Sequence, residues 1–469
     1  MERRSGTRDA RLPLALITLA GLALRIAAAR GGLWLDEAWS VVQAAEVRTP
    51  LGVFLSINHD NNHHLNSLWL LAVGVDAPSL LMRAPAIVAG TIAIPVAAAI
   101  AGRTSRAAAI VTALLFALSP ALVTMGSEAR GYAPMLLALL VAIERTDRWL
   151  RDPRREPPAL TLGLCFLIGA LSQLTMLFGF AALTGWVWIA TARRHGPRAA
   201  FARTARLMFP AAAALAGVLT IVAIGAWHGG GFHFGAVEPF RIAAFVHGLS
   251  GAVGFGLGLQ WLDTAGFADA LIVLPPLLFG IAATMRLPRT AFHLAALIGL
   301  PAAVLILHPA NPGHARYYLI VSLSLLMLTG TLIAAAWRRG GMPRGTATAT
   351  LALIVAGMIA GDATLIVNRR GDPAAAIAAM QARAPQGTTA MLDREPARAV
   401  LLVAAAQAHY PLNLTLDPCA DAAFLFADRF DAAAPPGAHE RCGRNYAAIA
   451  HGEARGMSGT HWTLYARAP

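Results

Sequence analysis

The chain alternates between long apolar runs and short gaps that carry arginine. Runs near the ~20 residues that a helix needs to cross a bilayer recur over most of its length. They fall near 12–30, 79–101, 107–125, 131–150, 159–172, 174–192, 205–227, 267–285, 291–308, 316–336 and 347–367, and predict about eleven transmembrane helices. The fifth and sixth share one apolar stretch, which Ser172-Gln173 divides into two short helices joined by a turn. Two gaps are long, 31–78 and 228–266. The second opens with HGGGFHFGAVEPF, whose glycines fit either a mobile gating loop or a plain connector. Its apolar stretch 240–258 reads as an interfacial or re-entrant segment rather than a span. From about 368 the pattern changes. Helical AAAIAAMQARA and RAVLLVAAAQAHY alternate with strand-like TTAMLD, LNLTLD, FLFAD, YAAIA and HWTLYA. The expected architecture is an α-helical polytopic membrane domain over 1–367, followed by a small α/β domain over 368–469.

Composition agrees with this reading. Hydrophobic residues make up 57% of the chain and charged ones 13%, against roughly 45–50% and about 25% in a soluble domain. A net charge of +13 would suit a nucleic-acid binder, but every basic residue is Arg and no basic surface is interleaved with exposed aromatics. Nucleic acid is therefore excluded as a partner. The arginines obey the positive-inside rule instead. With eleven spans, one side receives Arg3, Arg4, Arg8 and Arg11 and the arginine-rich gaps at 103–106, 145–155, 193–206, 286–289 and 338–344. These hold more than half of the 38 basic residues. Merging the fifth and sixth spans would break the agreement. The N-terminus is expected in the cytoplasm of a cell (inner or plasma) membrane, and the C-terminal domain outside. The basic start and apolar run to Ala29 fit a cleaved signal peptide or a retained signal anchor; length and flanking charges favour the anchor. Cys165 lies in an apolar run and reads as a packing residue. Cys419 and Cys442, on the outer side, read as a disulfide in preference to two free thiols.

Polar residues that interrupt the pattern gather in four places. The first is GLWLDEAWSVVQAAE, 32–46, directly after the first span. Trp34 and Trp39 fit an aromatic belt at headgroup level, with Asp36 and Glu37 between them. Carboxylates beside lipid are costly unless they are paired or used. On a helix the two point about 100° apart, so one can face a cleft while the other bonds a neighbour. A helix-start acidic pair complementing the dipole is the alternative. The second place is INHDNNHHLNSLWL, 57–70, with His59, Asp60, His63, His64 and four Asn. It suits a phosphate, a sugar or a divalent metal. The i, i+4 pair His59 and His63 falls short of a zinc motif with a general base, so hydrogen bonding to a polar substrate is preferred. The third is MGSEARGYAPMLL, 125–137, where Glu128, Arg130 and Tyr132 alone read as an ordinary helix start. The fourth is HPANPGHARYYLIVSL, 308–323. Here Arg316 stands opposite the arginine-rich side, placed to bind an anionic lipid headgroup. Tyr317 and Tyr318 read as belt residues or sugar-stacking platforms. Arg25 and Arg83 are isolated and read as snorkelling to the interface; Arg83 fits equally as the partner of an acid.

In this order the segments resemble the GT-C superfamily of polyprenyl-phosphate-sugar glycosyltransferases, and within it glycosyltransferase family 39 (protein mannosyltransferases) and its aminoarabinose-transferase relatives. WLDEAWS after the first span, RAPAIVAGTIAIPVAAAIAGR, SEARGYAPMLL, GHARYYLI before a late span and the α/β tail carry the likeness, which covers most of the chain. NNHHLNSLWL stands where the family has a His-Pro-Pro-Leu-Tyr-like segment, without its prolines. Ser172-Gln173-Leu174 stands where many relatives have a Thr-His-Tyr-like turn. The resemblance implies a polyprenyl-phosphate-sugar lipid as donor and a hydroxyl on a protein, lipid or glycan as acceptor. It implies transfer on the extracytoplasmic face with inversion. Asp36 is then the general base, with Glu37 orienting it or the acceptor. Arg316, helped by His63 or His64, meets the leaving phosphate. Glu128, Arg130, Tyr132 and Tyr317 complete the substrate wall. No cofactor is required with certainty; a divalent metal stays open, as do the sugar (mannose, arabinose, aminoarabinose) and the acceptor. The rivals are a non-enzymatic lipid-linked-sugar flippase or transporter, and an assembly protein working through its tail. A transporter is expected to carry mid-membrane ionisable groups and paired repeats; the chain shows no repeat, and its polar clusters share one face.

Overall fold

The computed structural model of the chain describes residues 5–152, 154–235, 237–429 and 436–468, with side chains from 11 onward. Arg3 and Arg4 lie outside the described residues, and of Arg8 only the backbone is described.

Each of the eleven apolar runs coincides with helix. They are Ser5–Ala28, Ala84–Gly102, Arg106–Leu118 continued by Pro120–Met125, Tyr132–Arg151, Ala159–Ser172, Met176–His195, Pro197–His228, Ala268–Thr284, Thr290–Leu307, Leu319–Arg339 and Gly341–Asn368. Among the described residues seven helices are long and apolar enough to cross a membrane unaided. The remaining runs fall short for physical reasons. The run 106–125 is broken at Ser119, which is extended, and Pro120 opens its second piece. Tyr132–Arg151 ends in the charged ERTDRWLR. Ala159–Ser172 and Ala268–Thr284 are short. The chain is a multi-pass membrane protein. Leu319–Arg339 is buried almost throughout and forms the centre of the bundle, while Leu12, Leu16, Leu19, Phe201 and Phe209 leave apolar faces exposed on outer helices. The expected turn at Ser172-Gln173 is present: one helix stops at Ser172 and the next starts at Met176.

The stretch 240–258 is a buried helix, Ile242–Leu257, packed on Ala268–Thr284, Leu319–Arg339 and the turn Ala315–Tyr318. Gly258 ends it at φ +70°, and its backbone lies directly on that of Gly357. Any side chain at either position would force the two segments apart. Arg25 does not snorkel. It is 1% exposed and donates to the carbonyls of Gly21 (3.0 Å), Phe116 (3.0 Å) and Ala117 (3.3 Å), in space that Gly90 and Gly126 leave free.

After Asn368 the chain forms two helices, Ala374–Arg383 and Ala397–Gln407, and six strands. The strands are β1 Thr388–Leu392, β2 Leu412–Thr415, β3 Phe424–Arg429, β4 Ala438–Arg441, β5 Arg444–Gly452 and β6 His461–Arg467, in the order β2-β1-β3-β6-β5-β4. The β2-β1-β3 pairs are parallel and the rest antiparallel. Helix Ala397–Gln407 supplies the crossover that parallel β1 and β2 need. Cys419 and Cys442 are disulfide-bonded, and Cys165 is free and buried.

The domain is fastened to the loop after the first helix. Asp372 accepts from Gly32 N (2.7 Å), Thr460 Oγ1 from Leu35 N (3.1 Å), and Gln407 Nε2 donates to the Ala77 carbonyl (2.8 Å). Arg370, fully buried at the junction, donates to the carbonyls of Ala28 (2.7 Å) and Thr124 (3.2 Å) and to Ser127 Oγ (2.7 Å).

Candidate functional site

Helix Leu35–Val47 begins directly behind Trp34, and its first turn holds Asp36 and Glu37. Adjacent positions on a helix diverge by about 100°, and the two carboxylates part accordingly. Glu37 turns inward and has no exposure. It accepts from Arg83 Nε (2.8 Å) and Nη2 (2.6 Å) and from Ala129 N (2.6 Å). The remaining Arg83 protons go to the carbonyls of Ala29 (2.8 Å), Gly31 (3.0 Å) and Gly32 (3.0 Å). Burial alone would raise the Glu37 carboxyl; Arg83 overcomes it and holds the group below its ordinary range. Glu37 therefore cannot touch a substrate. Of its two expected roles, contact with an acceptor is closed off, and Glu37 stands as a buried strut beneath Asp36.

Asp36 turns outward onto a cavity of about 820 Å³ between the bundle and the C-terminal domain. It pairs with Arg130 and, at 3.0 Å, with Arg316. Burial opposes ionisation here too, but Arg316 and Arg130 together hold the Asp36 carboxyl below its usual value near 3.8. Both guanidiniums lie against the Trp34 ring, at 5.7 and 5.9 Å from its centroid. Arg130 also faces Tyr132 (5.3 Å), and Arg316 faces Tyr317 (5.7 Å). These cation–π contacts help to hold two like charges side by side. Tyr132 and Tyr317 border the cavity.

Three expected contacts are not made. Glu128 lies behind the wall, fully buried, with Arg370 (3.4 Å) and Ser458 as partners. Burial raises its carboxyl against the pull of Arg370. It ties the C-terminal domain down rather than forming a cleft wall. His63 does not border the cavity either. Its Nε2 accepts from Arg130 Nη2 (3.1 Å), which can only donate, and this leaves the ring proton on Nδ1, set between the Ser172 carbonyl (2.9 Å) and Gly131 N (3.1 Å). Burial and the neighbouring Arg130 push the ring well below its ordinary value. His63 is thus a neutral brace for Arg130. His64 stacks on Phe54 (5.2 Å) away from the cavity, and burial pushes it down to about 4. Neither histidine brings a positive charge to a phosphate.

The charges then balance in layers. Beneath the wall Glu37 matches Arg83 and Glu128 matches Arg370. At the wall two arginines face one aspartate. The surplus positive charge is presented to the cavity. A metal does not fit this position: Asp36 is already held by two cations. Among the described residues, no group of three or more His, Cys, Asp or Glu is arranged to hold an ion.

The structure adds residues that sequence reasoning passed over. Asn61 Nδ2 donates to the Asp36 carbonyl (2.7 Å) and to Ser40 Oγ (2.9 Å), fixing the turn that aims Asp36. His314, pushed down to about 4 by burial and Arg316, lines the cavity beside that arginine. The second long loop is strapped to the first: Asp60 N donates to His233 O (3.0 Å) and His233 N to Asn58 O (2.7 Å). This brings Phe232 and Phe234 over the cavity. Residues 454–461 of the C-terminal domain close one side; the glycines of GEARGMSGTHW were the available signal. Leu174, Leu177, Phe178 and Val304 add an apolar part to the lining from the helices of the bundle.

No protein-family profile and no curated protein sequence matches the chain. Solved structures do. ArnT from Cupriavidus metallidurans in the apo state aligns with a TM-score of 0.53 at 11% identity, covering 96% of this chain and 97% of that one. The same protein bound to undecaprenyl phosphate gives 0.50 at 12%, covering 98% of each. The archaeal oligosaccharyltransferase AglB from Archaeoglobus fulgidus gives 0.49 at 12% identity, covering 90% of this chain and 70% of that one.

Proposed function

We propose that this chain, which has the GT-C fold, is a membrane glycosyltransferase that takes its sugar from a polyprenyl-phosphate lipid. The observation that carries the reading is the pair Arg130 and Arg316 beside Asp36 on the cavity wall. Two guanidiniums against one carboxylate leave a surplus positive charge where a lipid phosphate would sit, and guanidinium forks suit phosphate oxygens. The apolar lining at Leu174, Leu177, Phe178 and Val304 suits the lipid chain. Likeness to ArnT, solved with undecaprenyl phosphate, supports the same donor class. The arginine distribution supports placing the cavity on the extracytoplasmic face of the cell membrane.

A lone pair of the acceptor hydroxyl attacks the anomeric carbon from the face opposite the phosphate, and the carbon–oxygen bond to phosphate breaks with inversion. The bond electrons leave on the phosphate, where Arg130 and Arg316 stabilise the developing charge. The hydroxyl proton passes to Asp36, the carboxylate that faces the cavity. While paired, Asp36 is a weak base. A phosphate that draws Arg130 and Arg316 to itself frees Asp36 and raises its basicity, so the donor must bind before the base works. Trp39, which also borders the cavity, offers a surface for a sugar ring. The test is incubation of the purified protein with a labelled polyprenyl-phosphate sugar. The expected result is release of polyprenyl phosphate with transfer of label to acceptor. Movement of intact donor across a vesicle bilayer without release would instead mark a flippase.

A further inference from the structure

A third arginine borders the same cavity and has no part in the scheme above. Arg429 ends β3, and its Nε and Nη1 are buried without a hydrogen-bond partner among the described residues. A buried donor left unmatched is costly, and more so when it is charged. The adjacent carboxylate does not relieve it: Asp428 is held by Arg394, at 3.2 Å from Nε and 2.6 Å from Nη2. Both Asp428 and Arg429 border the cavity, Asp428 with its charge already matched by Arg394.

The fold also fixes where Arg429 stands relative to the proposed base. Arg429 pairs with His461 across β3 and β6. Thr460, the preceding residue, accepts from Leu35 N (3.1 Å), next to Asp36 in the chain. Strand β3 therefore holds Arg429 beside the segment that closes the cavity against the Asp36 helix. The apolar lining at Leu174, Leu177 and Phe178 belongs to the bundle and is built from other elements.

We infer that Arg429 is an acceptor subsite, and that the acceptor carries an anionic group, phosphate or carboxylate, near its reacting hydroxyl. This rests on the glycosyltransferase reading. It assigns the C-terminal domain a direct share in acceptor choice, through a charge-assisted contact of the kind guanidinium makes with either anion.

The experiment uses the full chain in detergent and reads its tryptophan fluorescence, since Trp34 and Trp39 border the cavity. Polyprenyl phosphate is titrated first, against wild type and Arg316→Gln; failure to bind wild type removes the donor reading. Glycerol 3-phosphate, glycerate and glycerol are then titrated with the lipid phosphate at saturation, or in its absence if it does not bind. The expected result is a preference of about ten-fold or more for an anionic probe over glycerol, lost in Arg429→Gln at unchanged melting temperature. Preference for the phosphate or for the carboxylate probe identifies the acceptor anion. Should Arg429→Gln fail to accumulate, Arg429→Lys keeps the charge without the fork and is expected to lose several-fold. No preference in wild type, or one that survives in the variants, overturns the inference.

Discussion

Asp36 meets Arg316 at 3.0 Å, joining the start of the chain to the turn before its central helix. Arg130 closes on the same carboxylate from a third segment. The three lie far apart in sequence, and only the folded bundle makes them one group. Replacing Asp36 with Asn keeps the shape and removes the charge that competes with a phosphate for the two arginines. Asp36→Asn is expected to bind polyprenyl phosphate as tightly as wild type or more so, while transfer falls by roughly 10²–10⁴. Binding isotherms and single-turnover rates on the same preparation measure both. Weaker lipid-phosphate binding together with normal transfer would remove Asp36 as base.

His63 acts through Arg130. Its neutral ring holds one guanidinium nitrogen at 3.1 Å and never reaches the cavity. His63→Ala frees Arg130 to move and is expected to raise KM for the donor several-fold, with a smaller fall in kcat. His63→Gln, which can keep an acceptor near Arg130, is expected to restore part of the loss. A direct role on the phosphate would instead lower kcat in both variants alike.

The inner pair is a matter of stability. Glu37 and Arg83 are both without exposure. Glu37→Gln leaves Arg83 charged and short of a counter-ion, at a cost of about 3–5 kcal/mol. A clear drop in melting temperature is expected, with near-normal turnover in whatever fraction remains folded. Equal melting temperatures would show that Arg83 is satisfied by its three carbonyls alone.

The pH profile follows from the same charges. Asp36 is held below its usual value near 3.8 by Arg316 and Arg130. Its contribution to stability is present above the unfolded value and is lost only as pH falls through the lower folded one. His63 lies well below 6.5 and stays neutral. The free-enzyme profile, kcat/KM against pH, is therefore expected to be flat between about pH 5 and 8 as far as these groups are concerned. An inflection near 6.5 that disappears in His63→Gln would show that the imidazole titrates in the working enzyme.

Much of this was legible in the sequence because it rests on periodicity and charge. Apolar runs locate eleven helical stretches, and Ser172-Gln173 marks its turn, since polar residues inside an apolar run leave few alternatives. Asp36, Arg130 and Arg316 stand out as charges at run ends. Which of Asp36 and Glu37 faces the cavity was not legible: both are acids in one helical turn, and only the position of Arg83 decides. The burial of Arg25 and Arg370 was hidden for a related reason. Hydropathy treats arginine as a loop residue, whereas these two satisfy backbone carbonyls left free where helices end or break. Strand β4, AHER, has no apolar alternation and goes unseen until β5 pairs with it. Asn61 and Arg429 needed the fold as well, since each matters only through a partner or a cavity distant in sequence.

Arg130 and Arg316 are expected to receive the donor phosphate and release Asp36. A structure of the full chain with polyprenyl phosphate bound tests it most directly. Phosphate oxygens are expected within hydrogen-bond distance of both guanidiniums, the lipid leaving past Leu174, Leu177 and Phe178, and Asp36 parted from Arg316. A phosphate bound elsewhere, with Asp36 and Arg316 still at 3.0 Å, would contradict it.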